Sequence, residues 1–384
     1  MNNFFSSAKD KCGGMVMYNN YRKFLALLFI LALIFSMFTV FVSSEGGISL
    51  SARSAALYEP ETERFIYTKN SNQRLGMAST TKIMTALLAL EELDHNESFE
   101  IDGRAVGIEG SSIYLKHGEI LKTLDLIYAL ILQSANDAAA ALAYKIAGGI
   151  EEFAILMNER AKKLNLQNTN FTNPHGLDNE KHYTTASDLS VITAEALAND
   201  TFKEIVSTYK KQIESNLTKR TLVNHNKLLK SYDGCIGVKT GYTKKCGRCL
   251  VGAAERDGVT LISVTIDAPD DWRDHTKMLD FGYSLLEAKV VSPNEFSYEV
   301  PILDGKFDFV RISNKYSQKF IHDRSDEEIK TCVKLSRYFS APINEGDVLG
   351  EVIFTKAGKE LGRIQLTADY SVEKNRKKQK FFSL

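Results

Sequence analysis

Ser79 and Lys82 stand three residues apart at the start of "STTKIMTALLALEEL", a run that is apolar on almost every helical face. Residues i and i+3 of a helix share a face, so a serine hydroxyl and a lysine amine are brought together there. The hydroxyl becomes a nucleophile when a base takes its proton. Lysine is such a base only if burial or nearby cations pull its pKa down from ~10.4. A helix that is hydrophobic all round is buried, a setting that discourages the ammonium form, so Lys82 reads as a neutral amine paired with Ser79.

Ser-x-x-Lys alone carries little, since it also starts at Ser6, Ser207 and Ser371. Ser-x-Asn starts at Ser134 and again at Ser292, and Lys239-Thr240-Gly241 is the single Lys-Thr-Gly. Each has a plain structural reading: Ser79 as a helix N-cap, Lys82 reaching out to solvent, Lys-Thr-Gly as the end of a strand. Order and context are more specific. The serine–lysine pair opens a buried helix, Ser134-Ala135-Asn136 interrupts "TLDLIYALILQSANDAAAALAYKIA" as a polar break between two apolar helices, and Lys-Thr-Gly lies on the strand-like run "CIGVKTGYT". Polar groups between buried helices need partners.

With these motifs the chain resembles the penicillin-recognising serine enzymes, and among them the D-alanyl-D-alanine carboxypeptidases of peptidoglycan metabolism. The resemblance runs from about Ala55 onward and takes in "NPHGLD" at 173–178, "HYTTASDLS" at 182–190, "NHNKLL" at 224–229 and "GYTKKCGRCLVGAA". It departs mildly at "GMASTTK", where a proline often precedes the alanine, and at Ala135, where glycine is common. The resemblance implies Ser79 as nucleophile, Lys82 as its base and Ser134 as relay to the leaving amine. Asn136 would hold the substrate's peptide carbonyl, Lys239 would be a fixed cation beside Ser134, Thr240 would help receive the terminal carboxylate, and Gly241 would belong to the same substrate-binding segment. The backbone N–H groups of Ser79 and Tyr242 would form the oxyanion hole. His175 and Asp178 are weaker candidates for ordering a deacylating water, Arg273 reads as a surface ion pair, and Trp272 as packing. The implied fold is the β-lactamase/transpeptidase-like α+β fold, an antiparallel sheet flanked by helices, with a C-terminal all-β domain. The implied partners are the peptidoglycan stem peptide and β-lactam antibiotics, with no metal or organic cofactor.

Elements that would position these residues follow the same pattern. "AALYEPETERFIYTKN" turns at "PETE" and predicts a hairpin; Thr185 and Asp188 have capping-box spacing; residues 235–267 read as three antiparallel strands; "DDWRDHTKMLDFGYSLLEA" reads as an amphipathic helix. The 384 residues are divided into a leader (1–44), a peptidase domain (45–289), a β-domain (290–371) and a basic tail (372–384) suited to weak attraction to an anionic membrane. Phe24–Val42 is an apolar run after Arg22 and Lys23, read as a cleaved signal peptide or a retained anchor. Formal net charge is zero, which gives no footprint for nucleic acid. The five cysteines are too few for a disulfide scaffold. "CGRC" reads as a strand with its thiols ~10 Å apart, beyond disulfide reach. Two rivals remain. A β-lactamase would carry an E-x-x-L-N glutamate, which the loop before Thr184 lacks, and an inactive wall-binding protein would have no use for the intact motif set.

Overall fold

The computed structural model describes residues 47–375. The expected leader and the tail beyond Asn375 lie outside the described residues. The chain begins with the expected hairpin, β1 (Ser54–Glu59) and β2 (Arg64–Lys69). The Glu59 carboxylate closes its turn by accepting from Glu61 N (2.8 Å) and Thr62 N (2.9 Å). Helix α1 (Lys82–Glu92) follows, then a short strand pair, β3 (Ser98–Glu100) with β4 (Ile120–Lys122). The apolar pair α2 (Thr123–Leu132) and α3 (Asn136–Ala147), then α4 (Ile150–Lys163), α5 (Ala186–Leu197) and α6 (Asp200–Ser207), complete a helical layer. The Thr185 side chain caps α5 by accepting from Asp188 N at 3.0 Å.

A second hairpin, β5 (Lys210–Glu214) and β6 (Lys219–Val223), and the single turn α7 (Leu228–Ser231) lead into β7 (Cys235–Thr243), β8 (Gly247–Arg256) and β9 (Val259–Ile266). These pair with the first hairpin in an antiparallel sheet ordered β2-β1-β9-β8-β7, which leaves β7 at an edge. The inner strands are buried on both faces, as side chains of period two require when both sides are covered. Ala56, Val251, Ile262 and Val264 face the helical layer, whereas Leu57, Leu250 and Leu261 face α8 (Asp271–Leu285) through Met278 and Leu279.

The amphipathic helix was expected to run to Ala288, but it stops at Leu285. Leu286 is extended (φ −118°, ψ 149°) and starts β10 (Leu286–Val291). The β-branched pair Val290 and Val291 favours a strand, and β10 gains a full antiparallel partner in β13 (Gln318–Asp323). The C-terminal part is all β: β11 (Ser297–Pro301), β12 (Phe309–Ser313), β14 (Lys330–Leu335), β15 (Val348–Lys356) and β16 (Lys359–Ala368) form a sheet ordered β11-β12-β16-β15-β14. Its core includes Val300, Val310, Ile312, Phe354, Ile364 and Leu366. The start of the expected basic tail belongs to this domain. Val372 is buried and exchanges backbone hydrogen bonds with Ile343, and Lys306 N donates to Glu373 O. Among the described residues no helix is long and apolar enough to cross a membrane.

Candidate active site

Ser79 sits in a 3-10 turn, Ala78–Thr81, just ahead of α1 rather than in the α-helix itself. The two threonines after it explain the tighter turn. Thr80 Oγ1 donates to Met77 O at 2.6 Å and Thr81 Oγ1 to Ala78 O at 2.8 Å, so hydroxyls take carbonyls that the helix has not yet engaged. Residues i and i+3 eclipse in a 3-10 helix, which brings Lys82 Nζ to 3.0 Å from Ser79 Oγ. Two glycines clamp this turn. A Cβ on Gly241 would lie 3.0 Å from Ser79 N, and one on Gly176 (φ +87°) only 1.9 Å from Ala78 O. Ala78 itself is left-handed, with φ +48°.

Lys82 is fully buried, and three oxygens surround its amine: Ser79 Oγ, Asn136 Oδ1 at 2.7 Å and the His175 carbonyl at 2.5 Å. A neutral amine has two N–H donors and one lone pair. The amide and peptide oxygens can only accept. An ammonium donates to all three oxygens, whereas a neutral amine gives its two N–H groups to the amide and peptide oxygens and turns its lone pair to the one neighbour able to donate, the Ser79 hydroxyl. Burial, then the Lys239 cation, hold the Lys82 pKa well below its ordinary value, against a smaller opposing effect of Asp137.

The polar break supplies the next wall. Ser134 adopts φ +57° and lines the cleft, and Asn136 begins α3. Asn136 N donates to Ser111 O at 2.7 Å and its Nδ2 to Glu109 O at 2.6 Å. The buried Asp137 accepts from Ser112 Oγ (2.6 Å), Ile113 N (3.2 Å) and Leu115 N (3.0 Å). This island therefore fixes the 109–115 loop, on which Tyr114 is 81% exposed with φ +59°.

The third wall is β7. Lys239 is buried with its Nζ donating to Thr240 O at 2.8 Å, and burial lowers its pKa to about 7. Thr240, Gly241 and Tyr242 line a cleft of about 320 Å³ with Ser79 and Ser134. All eight sequence-derived candidates thus converge on one place: Ser79, Ser134 and the 240–242 segment on the cleft, Lys82, Asn136 and Lys239 beneath or beside it.

Sequence reasoning missed four further cleft residues: Ser111, His225, Arg248 and Asp271. Arg248 lies across the strand pair from Tyr242, donates from Nη2 to Asp271 Oδ1 at 2.9 Å, and stands 5.9 Å from the centre of the Trp272 ring. Trp272 therefore lines the cleft as well as packing. His225 is held between two buried asparagines: Asn224 donates to Val206 O and Thr208 O and accepts from Asn226 N, while Asn226 accepts from Leu228 N. Burial and Lys239 lower the His225 pKa. Arg273 is, as expected, an exposed ion pair, 3.7 Å from Asp270.

The loop at 173–178 is tied into the surrounding structure. His175 offers its carbonyl to Lys82, its ring accepts from Leu177 N at 3.3 Å, and burial brings its pKa to about 3. Asp178 accepts from Thr243 Oγ1 and Cys246 Sγ. "CGRC" is not one extended run. Gly247 turns left-handed (φ +69°), which brings Cys249 Sγ within 3.9 Å of the Cys246 carbonyl, and both thiols are free. Among the described residues no three His, Cys, Asp or Glu side chains gather to hold a metal.

This fold and this cleft define the class of serine hydrolases built on a helix-flanked antiparallel sheet with an open edge strand. The chain belongs to the D-alanyl-D-alanine carboxypeptidase family, whose profile matches residues 40–270. Residues 287–374 match the C-terminal domain of penicillin-binding protein 5. The chain is 34% identical over 335 residues to D-alanyl-D-alanine carboxypeptidase DacF of Bacillus subtilis, covering 84% of this chain and 86% of that protein. The crystal structure of penicillin binding protein 5 from Haemophilus influenzae superposes with a TM-score of 0.62 at 27% identity, over 85% of this chain and 99% of that one. PBP3 of Streptococcus pneumoniae, described as a peptidoglycan synthesis regulatory factor, shares the fold with a TM-score of 0.68 at 23% identity, over 85% and 100% of the two chains.

Proposed function

We propose that this enzyme removes the terminal D-alanine from peptidoglycan stem pentapeptides through an acyl-enzyme on Ser79, and that penicillins acylate the same serine. The observation that carries this is the buried Lys82 amine, 3.0 Å from Ser79 Oγ and with its pKa held well below the ordinary lysine value by burial and by Lys239. Lys82 takes the hydroxyl proton as Oγ attacks the carbonyl carbon of the D-Ala-D-Ala bond. The oxygen that becomes negative is received by the N–H groups of Ser79 and Tyr242. The proton reaches the departing amine through Ser134, D-alanine leaves, and water cleaves the ester. Asn136 serves twice, as acceptor for Lys82 and as a ligand for the peptide carbonyl. Lys239, in its protonated form, supplies positive charge beside Ser134 and helps keep Lys82 neutral. The substrate lies along the open edge of β7, with its carboxylate at Thr240 and at Arg248, which line the same cleft.

Ser79→Ala is expected to abolish both covalent labelling by fluorescent penicillin and D-alanine release, with an unchanged circular-dichroism spectrum. Labelling that survives this change but disappears with Ser207→Ala overturns the assignment. The β-lactamase alternative predicts penicillin hydrolysis faster than D-alanine release in the same preparation; the commitment of Asp178 to Thr243 and Cys246 favours the carboxypeptidase. An inactive wall-binding protein predicts no labelling at all. The reaction takes place outside the cytoplasm, delivered by the leader as a signal peptide or anchor, with the basic C-terminal end adding weak membrane attraction. Vesicle sedimentation with and without residues 374–384 tests the last point.

A further inference from the structure

The outer face of the C-terminal sheet carries a cavity of about 510 Å³, inside the ~300–1,000 Å³ range of small-molecule sites. Its floor is a row of cross-strand neighbours, Glu351 of β15 beside Gln365 of β16, with Val348 and Thr367 paired next to them. One wall is the 314–318 loop. Asn314 is 2% exposed and pins that loop by accepting from Phe296 N and donating to Ser292 O and Tyr316 O. The ring of Tyr316 is thereby presented to solvent, 81% exposed.

Three cations, Lys315, Lys334 and Arg363, and one carboxylate, Glu351, line the cavity, and each cation has an acidic partner in or beside it. Glu351 accepts from Lys334 and Arg363, each at 3.0 Å, Arg363 also binds Glu360, and Lys315 binds Asp369. Among the described residues no hydrogen bond engages the side-chain amides of Gln318 and Gln365 or the Tyr316 hydroxyl. Beside these pairs the concave surface offers open neutral amides and a bare aromatic face. It suits a neutral ligand that has hydroxyl and amide groups at its edge and an apolar ring face, since each amide is both donor and acceptor and an aromatic ring stacks on flat apolar surface.

We propose that this cavity binds the uncharged, N-acetylated hexosamine backbone of a glycan strand, Tyr316 stacking on a sugar ring and Gln318 and Gln365 reading its hydroxyl and acetamido groups. The choice of glycan rests on the peptidoglycan reading of the active site, because a glycan strand is what carries the stem peptides. The domain would hold polymeric substrate while β7 addresses its peptides.

The test is calorimetric titration of the full-length chain, its Ser79 blocked with penicillin, with a β-1,4-linked N-acetylglucosamine tetramer. Blocking Ser79 removes turnover, so failure of the glycan proposal and failure of the catalytic reading are distinguishable. Binding is expected, weakened about tenfold or more, or about 1.4 kcal/mol, by Tyr316→Ala and by Gln365→Ala, while labelling by soluble penicillin stays at the wild-type rate. Glycan binding that is absent, or unchanged in both variants, overturns the proposal. So does competition by a polyphosphate that displaces the tetramer, since that makes the surface an anion site.

Discussion

Asn136→Asp changes one atom type at the centre of the site, and its effect can be worked out from the geometry. The amide oxygen lies 2.7 Å from Lys82 Nζ. A carboxylate oxygen at that 2.7 Å distance attracts an ammonium by about 6 kcal/mol at an effective dielectric of ~20. At 1.36 kcal/mol per unit this is a ceiling of roughly four pKa units. The new carboxyl also loses hydration and sits next to the buried Asp137, which offsets part of the gain, so a rise of at least about two units is expected. Lys82 then holds its proton near neutral pH and no longer accepts one from Ser79. The measurement is the second-order rate of penicillin acylation from pH 5 to 10 for wild type, Asn136→Asp and Asn136→Ala. Asn136→Asp is expected to move the acid limb upward by about two pH units or more, with activity recovering at high pH. Asn136→Ala lowers the rate across the range but lacks the new charge, so its limb does not move upward in that way. If the limb of Asn136→Asp coincides with that of Asn136→Ala, Lys82 is not the base.

Arg248→Gln is expected to lower kcat/KM about 10- to 100-fold on a peptide with a free terminal carboxylate, the range of a charged hydrogen bond, and to leave an amide-capped peptide unaffected; steady-state assays on the two substrates check this. Gly176→Ala combines a left-handed alanine with a Cβ 1.9 Å from Ala78 O, and is expected to cost about 2–5 kcal/mol in denaturant unfolding. His175, His182 and His275 are buried neutral, with pKa values brought mainly by burial to about 3, 4 and 3. Because the unfolded chain takes up these protons first, stability is lost as pH falls below ~6.5, by up to about 1.4 kcal/mol per pH unit for each histidine. Melting curves from pH 8 to 5 follow the loss, and His275→Gln is expected to flatten the slope.

Most of the candidate set that the structure brings together was legible because its members announce themselves locally. A lysine inside an apolar helix and a polar break between two others are anomalies in a sequence, and buried polar groups must find one another. Arg248 and Asp271 were not legible. Each is an ordinary charged residue near the end of an element, and they meet only because β8 pairs with β7 and α8 packs beneath. The 3-10 turn at Ser79 was hidden for a related reason: helical periodicity continues through it, and only the back-bonding of Thr80 and Thr81 separates it from α1. The end of α8 at Leu285 depended on a distant partner for β10, which no local window contains.

Ala78, Tyr114 and Ser134 all hold left-handed backbone although none is glycine. Such a residue costs roughly 1–2 kcal/mol relative to its relaxed form. The three come from separate stretches of chain, so the surroundings, not local preference, keep the cleft assembled. Those surroundings include the edge strand β7 against Ala78 and the two buried helices on either side of Ser134. A substitution that loosens one of these surroundings is therefore expected to cost penicillin labelling before it costs the fold, with the circular-dichroism spectrum unchanged.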